Sequence, residues 1–260
     1  KELAVKVGAI ARQAGAAIME IYDNEADFGV EIKGDDSPLT KADKAANTVI
    51  CAGLEQLEPV FPIVSEENAA IPYEERRTFT YNWLVDPLDG TKEFIKRNGD
   101  FTVNIALVHE GCVVLGVVYI PAIDGLYWAV KGGGAFRESE DGLVALQAAS
   151  FSRQDEGLKV VCSRSHLNEA TQAFIDALNK PDKVARGSAL KFLILAEGAA
   201  HYYPRLGPTM EWDTAAAQIV LEEAGGTVTL EDGESPLLYN KENLLNPFFI
   251  AKGREGESFG

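Results

Sequence analysis

The sequence predicts an α/β chain, α+β in its layering, in which helices and mixed sheets alternate. Three observations predict it. Apolar residues recur at helical spacing near the amino terminus, β-rich runs joined by short turns occupy the middle, and strand and helix patterns alternate from Leu158 onward.

Leu3, Val7, Ile10, Ala11, Ala14, Ala17, Ile18 and Ile21 fall on one helical face and define the first helix. Gly29 to Asp36 reads as an extended hairpin arm ending in a polar turn. Thr40 then caps a second helix running through Leu57, with Asp43 at the capping-box position, where Asp is a weaker choice than Glu. Phe61-Pro62-Ile63-Val64 and Trp83-Leu84-Val85 are short apolar strands, each ending in acids. Phe101 to His109 and Cys112 to Ile120 flank Glu110-Gly111 as an antiparallel hairpin, and Leu126 to Val130 adds a strand. The glycine run Gly132-Gly133-Gly134 lacks both a following Lys-Ser/Thr and Rossmann spacing, so a tight turn is favoured over a phosphate cradle. Phe151 to Gly157 is polar and precedes the change of rhythm. It divides the chain into halves, 1–150 and 151–260, packed closely enough to be described as one domain.

The 260 residues are 46% hydrophobic and 25% charged, an ordinary globular composition. No apolar run approaches the roughly 20 residues that span a bilayer, and the polar, amphipathic amino terminus does not read as a signal peptide. Three isolated cysteines, at 51, 112 and 162, fit a reducing compartment better than a disulfide scaffold. The formal charge of −16 argues against a nucleic-acid polymer as partner. It does not exclude a small phosphate ester, because cations held among carboxylates invert the local field.

Chemistry is concentrated in three acidic segments. Asp86-Pro87-Leu88-Asp89-Gly90-Thr91 places two carboxylates three apart on a turn stiffened by Pro87 and shaped by Gly90, although Asp-Pro and Asp-Gly also occur in ordinary turns. Ser65-Glu66-Glu67-Asn68 follows a strand, and on an extended chain only one of the two glutamates would face a common site. Asp213, in Glu211-Trp212-Asp213-Thr214, opens a helix that stops at Gly225-Gly226, so it reads either as a first-turn acid or as a ligand. Gathered together, these carboxylates would repel unless cations sat among them. Mg²⁺ is the natural candidate, since no Cys/His cluster suggests zinc. The chemistry suggested is metal-assisted attack of water on a phosphate ester.

This order of segments resembles the lithium-sensitive, magnesium-dependent phosphatases of the inositol monophosphatase superfamily, which also contains the fructose-1,6-bisphosphatases. Gly187-Ser188-Ala189-Leu190-Lys191-Phe192 and Tyr203-Pro204-Arg205-Leu206 are similar to its 3′(2′),5′-bisphosphate nucleotidase branch in particular. The resemblance reaches from the first helix to about Gly226. It implies that family's alternating layers of helices and mixed sheets, with a metal-binding first half and a substrate-binding second half.

It implies too that Glu66, Asp86, Asp89, Asp213 and the Leu88 carbonyl hold two or three Mg²⁺ ions. Glu66, Asp43 and Thr91 would position the attacking water. Gly90, Thr91 and Asp213 would lie against the scissile phosphate. Gly187, Ser188, Lys191 and Arg205 would take the 5′-phosphate side, and His166 would contact the nucleoside, with aromatic rings around the adenine. Read without the resemblance, Asp43 is a first-turn helix acid, Ser188 a cap beside a solvent-facing Lys191, and His166 a surface residue.

The reaction so implied is removal of the 3′-phosphate of 3′-phosphoadenosine 5′-phosphate or the corresponding adenylyl sulfate, in sulfate assimilation. No covalent phosphoenzyme forms, because the carboxylates are engaged by metal. The resemblance places the enzyme in the cytoplasm, at the inner membrane surface in some relatives, and allows a homodimer; no basic amphipathic anchor is evident. The alternatives are an inositol monophosphatase or fructose-1,6-bisphosphatase with other pocket walls, or a catalytically silent interaction protein. The last would have lost a metal carboxylate, and none is lost.

Overall fold

The chain was described from a computed structural model covering residues 1–24, 28–34, 38–140, 142–162 and 168–256. Helix α1 (Glu2–Asn24) leads into a two-stranded arm, β1 (Glu31–Ile32) and β2 (Pro38–Leu39), then α2 (Lys41–Leu54). Strand β3 (Ile63–Ser65), the single turn α3 (Tyr73–Arg76), β4 (Tyr81–Asp89) and the short α4 (Thr91–Ile95) follow. A meander of β5 (Thr102–His109), β6 (Cys112–Ile120), β7 (Gly125–Val130), β8 (Ala135–Ser139) and β9 (Gly142–Ala145) completes a seven-stranded sheet. It is antiparallel except for β3, which pairs in parallel with β4.

The second sheet contains β11 (Lys159–Cys162), β12 (Asp182–Ala185), β13 (Tyr202–Arg205), β14 (Thr227–Leu230) and β15 (Phe249–Lys252), in the order β12-β11-β13-β15-β14. Its helices are α5 (Glu169–Asp176), α6 (Leu190–Ala196) and α7 (Glu211–Glu223). The short strands β10 (Ser150–Phe151) and β16 (Arg254–Glu255) pair in parallel beside it.

The period of two in β4 explains the layering. Trp83 and Val85 point toward α1 and α2 and join the core beneath them, whereas Leu84 points into the core that α6 and α7 fill between the sheets. The second sheet divides in the same way. Val161 and Tyr203 face α6 and α7, while Val160 and Tyr202 face α5. Five layers result: α1/α2, sheet, α6/α7, sheet, α5. No helix among the described residues is long and apolar enough to cross a membrane.

The layered α+β expectation holds, with three corrections. Helix α2 ends at Leu54 rather than Leu57, because i→i+3 bonds from Gln56 to Gly53 and from Leu57 to Leu54 tighten its last turn ahead of Pro59. The segment 86–89 belongs to β4 rather than to a turn after Val85, because pairing with β5 continues to Asp89; the glycine run is the expected tight turn, with the Gly132 and Gly134 N–H groups each donating at 2.8 Å to the Glu223 carboxylate. Glu66 and Glu67 do not alternate, since β3 stops at Ser65 and the next residues form a turn closed by Asn68 N–H to the Ser65 carbonyl.

Helix α7 touches both sheets and carries one of the candidate acids, so its seating matters most. Ala215, Ala216 and Ala217 are buried, and Gly116 of β6 lies so close that a Cβ there would stand 2.3 Å from the Ala216 carbonyl oxygen. Gly116→Ala should therefore cost about 1–3 kcal/mol through overpacking, read as a melting temperature lower by several degrees. An unchanged melting temperature would show that this helix–sheet approach is not constrained.

Candidate metal and substrate site

The acids converge because of where β4 ends. Asp86 shares the parity of Leu84 and so faces α7, as does its cross-strand partner Asn104. Three positions on, Asp89 would point away, but the register against β5 slips between Asp86 and Asp89. That irregularity returns Asp89 to the same side, where it accepts a hydrogen bond from Asn104 Nδ2 at 3.4 Å. Asp86 is buried and its Oδ1 accepts from the Leu88 N–H at 3.1 Å. The turn after β3 brings in Glu66, and the first turn of α7 brings in Asp213. One carboxylate oxygen from each of Glu66, Asp86 and Asp213 lies within 4.8 Å of the others.

Burial pushes all three aspartates up from the ordinary carboxylate value. Asp86 rises well above it, with Glu66, Asp89 and Asp213 adding repulsion. Asp213 rises to about 8, through burial and then the charge of Asp89. Asp89 rises only to about 6, because Lys191 and the hydrogen bonds from Asn104 and the Ala189 N–H oppose its burial. A cation of hard character fits this donor set: each donor atom of the cluster is a carboxylate oxygen, and the charges lack enough neighbouring bases to balance them. Among the described residues the bases within reach are few. Lys33, carried on the arm, places Nζ 2.7 Å from Glu66 Oε1 and 2.5 Å from Glu67 Oε1. Its burial opposes the charge, but these contacts push its pKa up.

Beside the acids stand Asp43 and Thr91. Asp43 Oδ2 accepts from the Thr40 N–H at 2.7 Å and the Thr40 hydroxyl at 2.5 Å, closing a capping box. Its Oδ1 lies 3.1 Å from the Thr91 hydroxyl, which is also 3.2 Å from the Leu88 carbonyl. Burial raises the Asp43 pKa against the pull of Thr40 and Thr91. Gly90 has φ 92°, and a Cβ there would stand 2.8 Å from the Asp100 carbonyl oxygen, so glycine is required on both counts.

Asp89, Gly90 and Asp213 open onto a cavity of about 620 Å³ whose far wall comes from the second half of the chain. Gly187 N–H donates to Asp100 Oδ2 at 3.1 Å, which joins the two halves at the rim. Ser188 holds a left-handed φ of 42°, and its buried hydroxyl has no partner. It is not a helix cap, and Lys191 does not face solvent. Lys191 is buried with Nζ 2.6 Å from the Ser188 carbonyl, and burial lowers its pKa to about 8 against the attraction of Asp89. Arg205 donates through Nη2 to the Pro208 carbonyl at 2.7 Å, while its buried Nε is unpartnered.

His166 lies outside the described residues. Of the described aromatic residues, Phe192 and Tyr203 line the cavity, buried and packed edge to face on each other. Pro204, Leu206 and Pro208 supply its apolar wall. Sequence reasoning missed Lys33 and Asn104. An Asn in the middle of an otherwise apolar strand was a usable signal; nothing local marked Lys33.

The sequence model of the inositol monophosphatase family matches residues 1–254. The chain is 45% identical to the 3′(2′),5′-bisphosphate nucleotidase CysQ of Salmonella typhimurium, over 92% of this chain and 95% of that one. It is 46% identical to the protein of the same name in Escherichia coli K12, with the same coverage. Its fold superposes on the crystal structure of CysQ from Bacteroides thetaiotaomicron with a TM-score of 0.86 and 39% identity, covering 98% of both chains.

Asp89 and Asp213 hold protons in the folded protein that an unfolded chain releases near the ordinary value of 3.8. Metal-free protein should therefore lose stability as pH rises from about 4 toward 8, since the native state binds more protons across that window. A thermal melt series in chelator should show a falling melting temperature that Asp213→Asn flattens. A rise with pH would mean that the two carboxyls are not protonated.

Proposed function

The chain belongs to the inositol monophosphatase family, and within it we propose a 3′(2′),5′-bisphosphate nucleotidase that converts 3′-phosphoadenosine 5′-phosphate to AMP and phosphate. The observation that carries this reading is one cavity lined by Asp89 and Asp213 on one side and by Lys191 and Arg205 on the other, with Glu66 and Asp86 clustered against Asp213. Such a cavity suits a substrate with two phosphates, one to be cleaved and one to be held. High identity to the CysQ nucleotidases supports the choice of branch.

Mg²⁺ held by Glu66, Asp86, Asp89, Asp213 and the Leu88 carbonyl, as two or three ions, would neutralise these carboxylates, acidify water and draw charge from the scissile phosphate. The protein's own part is positional. Thr91 donates its hydroxyl hydrogen to Asp43 Oδ1, which leaves the hydroxyl oxygen free to accept a hydrogen bond from the attacking water. Glu66 offers the second acceptor for that water, so its lone pair is aimed in line with the ester bond. The close backbone at Gly90 admits the scissile phosphate where a side chain would exclude it. Ser188, with its unpartnered hydroxyl, and the ammonium of Lys191 hold the 5′-phosphate, assisted by the Arg205 guanidinium. The first half thus supplies most of the metal ligands and the second most of the substrate contacts, with Asp213 crossing between them.

Phosphate release should be measured from 3′-phosphoadenosine 5′-phosphate and inositol 1-phosphate side by side, with Mg²⁺ and then added Li⁺. A strong, lithium-inhibited preference for the nucleotide is expected; preference for inositol phosphate would reject the branch. Asp89→Asn should abolish turnover with the fold intact, and full activity would reject the metal assignment. Lys191→Ala should raise KM for the bisphosphate about tenfold or more, leaving KM for a 3′-monophosphate nearly unchanged. Equal effects would remove Lys191 from the 5′-phosphate site.

A further inference from the structure

Glu211, two residues before Asp213, tells little as sequence, yet its carboxylate is fully buried, at 0% exposure. It accepts from the Asn240 N–H at 2.6 Å, the Lys241 N–H at 3.0 Å and the Lys241 ammonium at 2.6 Å. The same two-residue corner is gripped from its other side by Arg76, itself 3% exposed. Arg76 Nη1 donates to Asn240 Oδ1 at 2.9 Å and the Lys241 carbonyl at 3.0 Å, and Nη2 donates to the Glu242 carbonyl at 3.1 Å. Asn240 Nδ2 returns a bond to the Arg76 carbonyl at 2.8 Å. A carboxylate therefore takes the donors of the corner and a guanidinium takes its acceptors. Asn240 is held at a left-handed φ of 57°, a conformation that such a bracket can enforce on a non-glycine residue.

The bracket joins three segments far apart in sequence. Arg76 also fixes the Ile71 carbonyl through Nε at 3.0 Å, on the stretch that leads back to Glu66. Glu211 lies in the turn of α7 that presents Asp213. The strap between them continues to Asn246, whose Nδ2 donates to the Met210 carbonyl at 2.9 Å and the Thr214 hydroxyl at 3.0 Å, on both sides of Asp213. The two ends of the bracket are thus wired to two acids that must sit within one coordination shell.

We propose that Arg76, Asn240 and Glu211 are positioning residues that set the separation of Glu66 and Asp213, and so set the affinity for the divalent cation. This inference rests on the metal reading of the site. Ligand-orienting contacts of this kind typically change metal affinity by about 10–100-fold when broken.

The test is Mn²⁺ binding to the full chain, read by the paramagnetic resonance signal of free Mn²⁺, with a thermal melt beside each titration. Arg76→Lys keeps the charge and removes the fork, and should weaken Mn²⁺ binding about tenfold. Asn240→Gly suits the left-handed backbone, removes only the side-chain link, and should weaken binding by about threefold even if Arg76→Lys fails to fold. Ile175→Ala, in the remote core under α5, should lower the melting temperature and leave Mn²⁺ affinity unchanged. Wild-type affinity in both bracket variants, while Asp213→Asn still abolishes binding, would overturn the positioning role alone. A wild-type protein that binds no Mn²⁺, or binds it regardless of Asp213→Asn, would overturn the metal reading and this inference with it.

Discussion

Repulsion among four acids governs this molecule. Glu66, Asp86, Asp89 and Asp213 come from three separate segments and are brought to one place, where burial and neighbouring charge oppose ionisation of the three aspartates. Nothing in the hydrophobic effect favours that arrangement. It persists because each acid is tied by backbone or side-chain donors: Lys33 Nζ for Glu66, Leu88 N–H for Asp86, Asn104 and Ala189 for Asp89, Met210 N–H for Asp213. The surrounding layers provide the stability against which this local cost is set, and a divalent cation would relieve it. Lys33 and Lys191 offset the charge at opposite ends of the cluster without neutralising its middle.

Close packing converts that electrostatic arrangement into geometry. The small side chains of α7 let its backbone approach β6 at Gly116, which leaves the helix little freedom to slide or roll. The register slip in β4 then matters as much as the helix, since regular pleating would have sent Asp89 to the opposite face from Asp86. Sheet pleat, strand irregularity and helix seating are three independent constraints, and the carboxylate spacing is their intersection.

The parts legible in the sequence are those with local signals. Capping residues and the helical period placed Asp43 and Asp213 in the first turns of their helices. Asp86 and Asp89, expected on a turn after Val85, instead lie within β4, because pairing with β5 carries the strand on to Asp89. The premise that Glu66 and Glu67 alternate along a strand does not hold, because β3 ends at Ser65, yet Glu66 and not Glu67 joins the acid cluster. Arg76 and Asn240 are 164 positions apart and carry no shared local pattern, so their bond could not be read from the chain. Lys33 reaches Glu66 only because the arm folds back across 33 residues. Long-range polar contacts of this kind leave no periodicity behind.

The capping and site readings of Asp43 and Asp213 do not exclude each other. Asp43 uses Oδ2 to cap its helix and Oδ1 to hold Thr91. Asp213 likewise gives Oδ2 to the Met210 N–H while its carboxylate faces Glu66 and Asp86. A carboxylate has enough lone pairs for both tasks, and the capping bond freezes the rotamer before any ligand arrives. The side-chain entropy is then spent once, in folding, and not again on binding. Helix capping and the candidate site share the same carboxylate groups because the first turn of a helix is among the few places where a carboxylate can be buried, hydrogen-bonded and still present an open oxygen.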